Sequence, residues 1–151
     1  MPWNPFGTFG TVGTVGMSET ERIALGLIDC TLPKTEWTHH AHLCAGLWHV
    51  HQHGPFVALD LLRVRISKYN ESVGTANTDS SGYHETLTRF YIVVIDRFLT
   101  AADRSMDLDA LAEQLIALHG DRRLPLHHYS EARLFSVVAR RAWVEPDLRP
   151  I

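Results

Sequence analysis

Two stretches of the chain carry the residue types that do chemistry. Thr38-His39-His40-Ala41-His42-Leu43 places three histidines within four positions, and Gly82-Tyr83-His84-Glu85-Thr86 places a histidine beside a carboxylate. Imidazole titrates near neutrality, so it can relay protons or, when neutral, ligate a metal ion. Histidine is also the unusual count: ten in 151 residues, six of them between positions 39 and 53. The three-residue spacing of His39 and His42 lets both rings face one ion from a helix, with His84 approaching as a third ligand. Glu85 or Asp79 could complete that shell, orient a ligand or act as general base. Imidazole and carboxylate together suit Zn or Fe, and an open fourth position suits metal-assisted hydrolysis or oxidation of a small molecule.

The same residues support a metal-free alternative. A desolvated His84 with a depressed pKa can serve as general base, oriented by Glu85 or Asp79. Tyr69, Asn70, Asn77, Thr86 and Thr88 are the candidate polar contacts to a substrate. Unpaired amides at helix starts would favour an anionic group or an oxyanion. In a third reading the histidines hydrogen-bond inside the core of a structural or interaction domain. Glu85 then pairs with Arg89 one turn on, and His49, His51 and His53 form the solvated end of a helix. The residues rank the metal enzyme first, then the metal-free enzyme or binder, then the structural protein, and leave all three open.

Helices must position these groups. Ser18-Glu19-Thr20-Glu21 is a capping box and predicts a helix to about Asp29. Thr38 or Thr35 caps a second helix that Gly54-Pro55 stops near His53, and Pro55 opens a third over about 55–72. The third buries Leu59, Leu62, Ile66, Tyr69 and Val73 at helical spacing. Residues 74–82 are small and polar, a loop by composition. One of Asp79, Ser80 or Ser81 caps a fourth helix reaching about Thr100, and Asp107 or Asp109 opens a fifth that ends before Gly120. Ser130 caps a last stretch carrying Leu134, Phe135, Val138 and Trp143, which ends at Pro146. No segment alternates with period two, so the expected fold is all-α, a bundle of about five to six helices.

Short links make the second and third helices antiparallel, and likewise the third and fourth, so the second and fourth run the same way. On helical wheels His39 and His84 each sit at the centre of an apolar face, with His42 about 60° from the face of His39. Both imidazoles are therefore expected at one pole, beside the 74–82 loop.

Trp37-Thr38-His39-x-x-His42-Leu43 and Asn77-Thr78-Asp79-x-x-Gly82-Tyr83-His84-Glu85-Thr86 resemble the motifs of an uncharacterised family of small bacterial all-helical proteins. Tyr129-Ser130-x-x-Arg133-Leu134-x-Ser136 and Trp143-Val144-Glu145-Pro146-Asp147 resemble the same family. The resemblance covers residues 17–151 and implies an independent helical domain, with no activity attached to it.

Composition bounds the rest. At 45% hydrophobic the chain fits one domain with a core, over residues 17–151. Residues 1–16, with three Gly-Thr-Phe/Val repeats, offer little to bury and are expected to be a disordered extension; Met17 is a sensible alternative start. That segment lacks the pattern of a signal peptide. A net charge of -3 gives no footprint for nucleic acid or an anionic membrane surface. The longest apolar run, 90–99, is broken by Asp96 and Arg97 and does not span a bilayer. Two cysteines are too few for a disulfide framework and favour a reducing, cytoplasmic setting. The expected partner is a small-molecule ligand, with homo-oligomerisation left open.

Overall fold

A computed structural model describes residues 16–151, and the expectation of disorder over 1–16 lies outside that range apart from Gly16. The described residues form seven α-helices, and no strand: α1 (Glu19–Asp29), α2 (His39–His53), α3 (Pro55–Ser72), α4 (Glu85–Ala101), α5 (Leu108–His119), α6 (Glu131–Leu134) and α7 (Val137–Arg141). Short 3₁₀ turns at Lys34–Glu36 and Leu124–His127 join them. The all-α bundle is thus what the patterning implies, with one helix more because the C-terminal stretch is broken.

Most helix ends follow from side-chain chemistry. Ser18, Thr38 and Asp107 each accept the amide three residues on, so α1, α2 and α5 begin with a donor satisfied. Gly54 adopts a φ of +79°, which lets the chain turn sharply from α2 into the Pro55 that opens α3. Two expectations need correction. The cap of α4 is His84, whose ring nitrogen accepts the Leu87 amide at 3.1 Å, and not Asp79, Ser80 or Ser81. The C-terminal stretch is two short helices, because Ser136 caps a second start by accepting from Ala139. As a result Phe135 and Val138 are exposed and Trp143 lies beyond the helix.

The core is built around α2, which packs against α1, α3, α4 and α5. Ala41, Leu43, Cys44, Ala45, Leu47 and Val50 are all buried, while the exposed positions of this helix are His40, His42, Gln52 and His53. Small residues let its neighbours close in: a Cβ at Gly46 would stand 2.8 Å from the Ile95 side chain of α4. A second, smaller cluster of Phe90, Val94, Tyr129 and Leu134 seats residues 124–151 on the far side of α4. Thus Phe90 and Val94 of α4 meet the C-terminal segment.

The 74–82 loop is clamped from within by Asn77, while Arg140 and Arg141 hold it from outside at the Gly82 carbonyl and Asp79. Asn77 donates to the Ser67 carbonyl at 2.9 Å and accepts from Asn70 and from the Tyr83 amide. Gly82 turns the chain at φ +80°, where a Cβ would meet Asn77 Oδ1 at 2.5 Å. The clamp delays the helical start to Glu85 and fixes His84 at the boundary.

Candidate functional site

The first half of α2, the second half of α3 and the first half of α4 enclose a cavity of about 610 Å³. That arrangement requires α2 and α4 to run parallel, with α3 opposed. His39, His42 and His84 all line this cavity, together with Trp37, Tyr91 and Arg122. Its walls are otherwise mostly aliphatic, and its size is that of ordinary small-molecule sites.

The three imidazoles share the cavity but not a role. His84 is buried, and both of its ring nitrogens are committed. Nδ1 accepts from the Leu87 amide, so Nε2 carries the proton, which it donates to the Leu134 carbonyl at 2.9 Å. Burial lowers its pKa, Arg140 adds to that, and the Leu134 carbonyl opposes it. In this arrangement the ring has no lone pair for a metal or for proton abstraction.

His42 is exposed, with its ring stacked on Trp37 at 3.7 Å between centroids. Its Nδ1–H donates to the Thr38 carbonyl at 2.7 Å, which leaves Nε2 as the lone-pair nitrogen.

His39 differs from both. It is half-buried, and its Nε2 is shielded from solvent without a hydrogen-bond partner. Its ring meets Tyr91 edge to face, centroids 5.6 Å apart, and the Tyr91 hydroxyl is likewise buried without a partner. Burial and then the Arg122 guanidinium lower the His39 pKa, while the Gly120 carbonyl pulls the other way. Tyr91 is pushed up to about 12, chiefly by burial, so its hydroxyl stays a donor. Two orphan polar atoms on neighbouring rings are unusual, since buried polar groups nearly always find partners.

The turn at 120–123 forms the edge of the site at these two rings. Asp121, Arg122 and Arg123 are exposed, and the turn is held by local bonds, Arg123 and Leu124 amides to Asp121.

The carboxylate candidates lie elsewhere. Glu85 is buried against Arg63, whose Nε donates to it at 2.9 Å, and it also accepts from the Tyr83 hydroxyl. Burial would raise its pKa, but Arg63 and Tyr83 hold it below the usual carboxylate range. Arg89, the expected partner, instead covers the Trp143 ring at 4.6 Å. Asp79 pairs with Arg141 at 2.7 Å on the exposed surface. Neither carboxylate lines the cavity.

Of the proposed polar contacts, Asn70 and Thr88 line the cavity, although Asn70 donates to Asn77 and Thr88 to the His84 carbonyl. Tyr69 is fully buried, its hydroxyl donating to the Leu32 carbonyl at 2.7 Å. Asn77 clamps the loop, and Thr86 ties α4 to the C-terminal segment through Ala142 and Val144. His49 is also placed differently from expectation. It is 0% exposed, its Nδ1–H donating to the Ala45 carbonyl and its Nε2 accepting from Arg65.

Two residues of the site escaped the sequence. Tyr91 reads as one more apolar position of α4, and Arg122 as half of a solvated Arg-Arg pair. Only the placement of the 120–123 turn over the first turn of α2 gives them a role. Among the described residues no group of three or more His, Cys, Asp or Glu side chains is arranged to hold a metal ion. No family model, curated protein or solved structure matches this chain.

Proposed function

We propose that the cavity between α2, α3 and α4 binds a small molecule without a metal, with His39 as its acid–base group and Tyr91 as a hydrogen-bond donor. One observation carries the reading: His39 Nε2 and the Tyr91 hydroxyl belong to adjacent rings on the cavity wall, and both lack a protein partner. A ligand group entering beside them, under a small displacement of the 120–123 turn, supplies the bonds the protein withholds. The His39 ring is held neutral near pH 7 by burial and by Arg122, the state a proton acceptor needs. Two free cysteines fit a reducing, cytoplasmic setting.

A metal-dependent enzyme is the second reading, favoured by the presence of His39, His42 and His84 on one cavity. The residues as arranged do not fit it. His84 would have to release both Leu134 and the helix cap, and no free carboxylate is at hand.

The test is a fragment screen by NMR on chelator-treated, untagged protein, repeated with His39→Gln and Tyr91→Phe. Fragments should shift resonances of cavity residues, and each variant should weaken the best binder about tenfold or more. Binding that depends on restored zinc or iron would establish the metal reading instead. Absence of any cavity-mapped binder would leave the structural reading.

A further inference from the structure

We infer that the ligand is an apolar carboxylate, its charged end held by Arg122 at the first turn of α2 and its apolar body lying between α3 and α4. This rests on the small-molecule reading above and adds the chemical class. Among the residues lining the cavity, Arg122 alone bears a fixed formal charge. No aspartate or glutamate faces it from that wall.

The guanidinium is also free to take a ligand. Arg22, Arg63 and Arg141 are each paired with a carboxylate, whereas among the described residues Arg122 forms no ion pair. Asp121 next to it uses Oδ1 to accept the Arg123 amide at 2.9 Å. Arg122 lines the cavity with His39, His42 and Tyr91; the opposite charge of Asp121 beside it also acts on His39 and Tyr91, but Asp121 does not line the cavity.

That end offers more donors. His39 is the first residue of the fifteen-residue α2 and lines the cavity, its amide has no partner within the helix, and Thr38 uses its hydroxyl on Ala41. The Tyr91 hydroxyl is an unpartnered donor beside them. A planar guanidinium, a phenol and a helix start together match the two oxygens of a carboxylate. One cation suits one negative charge, and a dianion such as a phosphate monoester would be left undercompensated. The remaining wall is mostly apolar, with Leu43, Leu62, Ile66, Leu87, Ile92 and Ile95, and its Asn70 and Thr88 side chains already donate within the protein, which calls for a hydrocarbon or aromatic body.

The probes are octanoate and its uncharged counterpart octanamide, titrated calorimetrically into the full chain at low salt. Octanoate should bind about tenfold or more tightly than octanamide. Arg122→Gln should weaken octanoate about tenfold or more, to near the octanamide level, and weaken octanamide far less, with circular dichroism confirming the fold; exposure of Arg122 makes that variant safe. Equal binding of the two probes, or a preference that survives Arg122→Gln, overturns the carboxylate assignment while the pocket reading stands. If neither probe binds but neutral fragments occupy the cavity, the assignment falls in the same way. If nothing binds there, both fall.

Discussion

His49 and His39 sit on one helix and illustrate two fates of a buried imidazole. His49 has both nitrogens satisfied, by the Ala45 carbonyl and by Arg65, and burial holds its pKa down to about 4 against an ordinary 6.5. Between those values the unfolded ring takes a proton that the folded ring refuses. Stability therefore falls as pH drops from about 6.5 toward 4, by on the order of 3 kcal/mol from this residue alone. His39, His51 and His84 are lowered too, and add in the same direction. Urea midpoints measured from pH 7 to pH 4 should decline steadily, and a His49→Gln variant should show a shallower decline. His84 makes a second test at this scale. As a helix cap it is replaceable by asparagine, so His84→Ala should cost about 1 kcal/mol more than His84→Asn in chemical denaturation. A ligand of a metal would tolerate neither.

At the scale of elements, the 74–82 loop decides where the site ends. Gly82→Ala forces a side chain into a positive-φ turn and against Asn77, so it should destabilise the fold by about 1–3 kcal/mol. It should also weaken ligand binding, because Gly82, Tyr83 and His84 line the cavity together; thermal unfolding and fragment affinity check the two halves. The same loop shows where reading from sequence stops. The helix start at Ser18 was legible, and those at Thr38 and Asp107 were legible to within a choice of two residues, because a short polar side chain before an apolar run has a local partner three residues on. The start of α4 was not, since it depends on Asn77 reaching back to Ser67 across α3 and on histidine, an uncommon cap. The inward face of His39 was legible from the wheel, and the cavity it shares with His84 from the short connections, although His84 reaches it as an extended cap and not as part of the helix. What each ring nitrogen touches was not, because Leu134 lies fifty residues from His84. His49 was misplaced for a related reason: α2 packs against four other helices, so a position near its end can still be fully buried, and one helical wheel does not reveal its neighbours.

The whole molecule divides into the main core around α2 and the C-terminal segment packed on α4. Thr86 ties the two parts together, donating to the Ala142 carbonyl at 2.9 Å and accepting the Val144 amide at 3.2 Å. Thr86→Val should therefore cost about 1–3 kcal/mol in unfolding experiments yet leave ligand affinity unchanged, which a substrate-contacting threonine would not do. No helix of the described residues is long and apolar enough to cross a membrane. The cavity is the feature of this architecture that calls for a ligand, and the assignment of its histidines is open to direct measurement. Long-range proton–nitrogen spectra of the histidine rings, recorded on chelator-treated protein before and after saturation with a bound fragment, report the protonation and bonding of each nitrogen. His84 should keep its proton on Nε2 throughout, while His39 should change its nitrogen shifts as its orphan atom gains a partner. A His39 ring indifferent to ligand, or His84 nitrogens that move on addition of zinc or iron, would contradict this account.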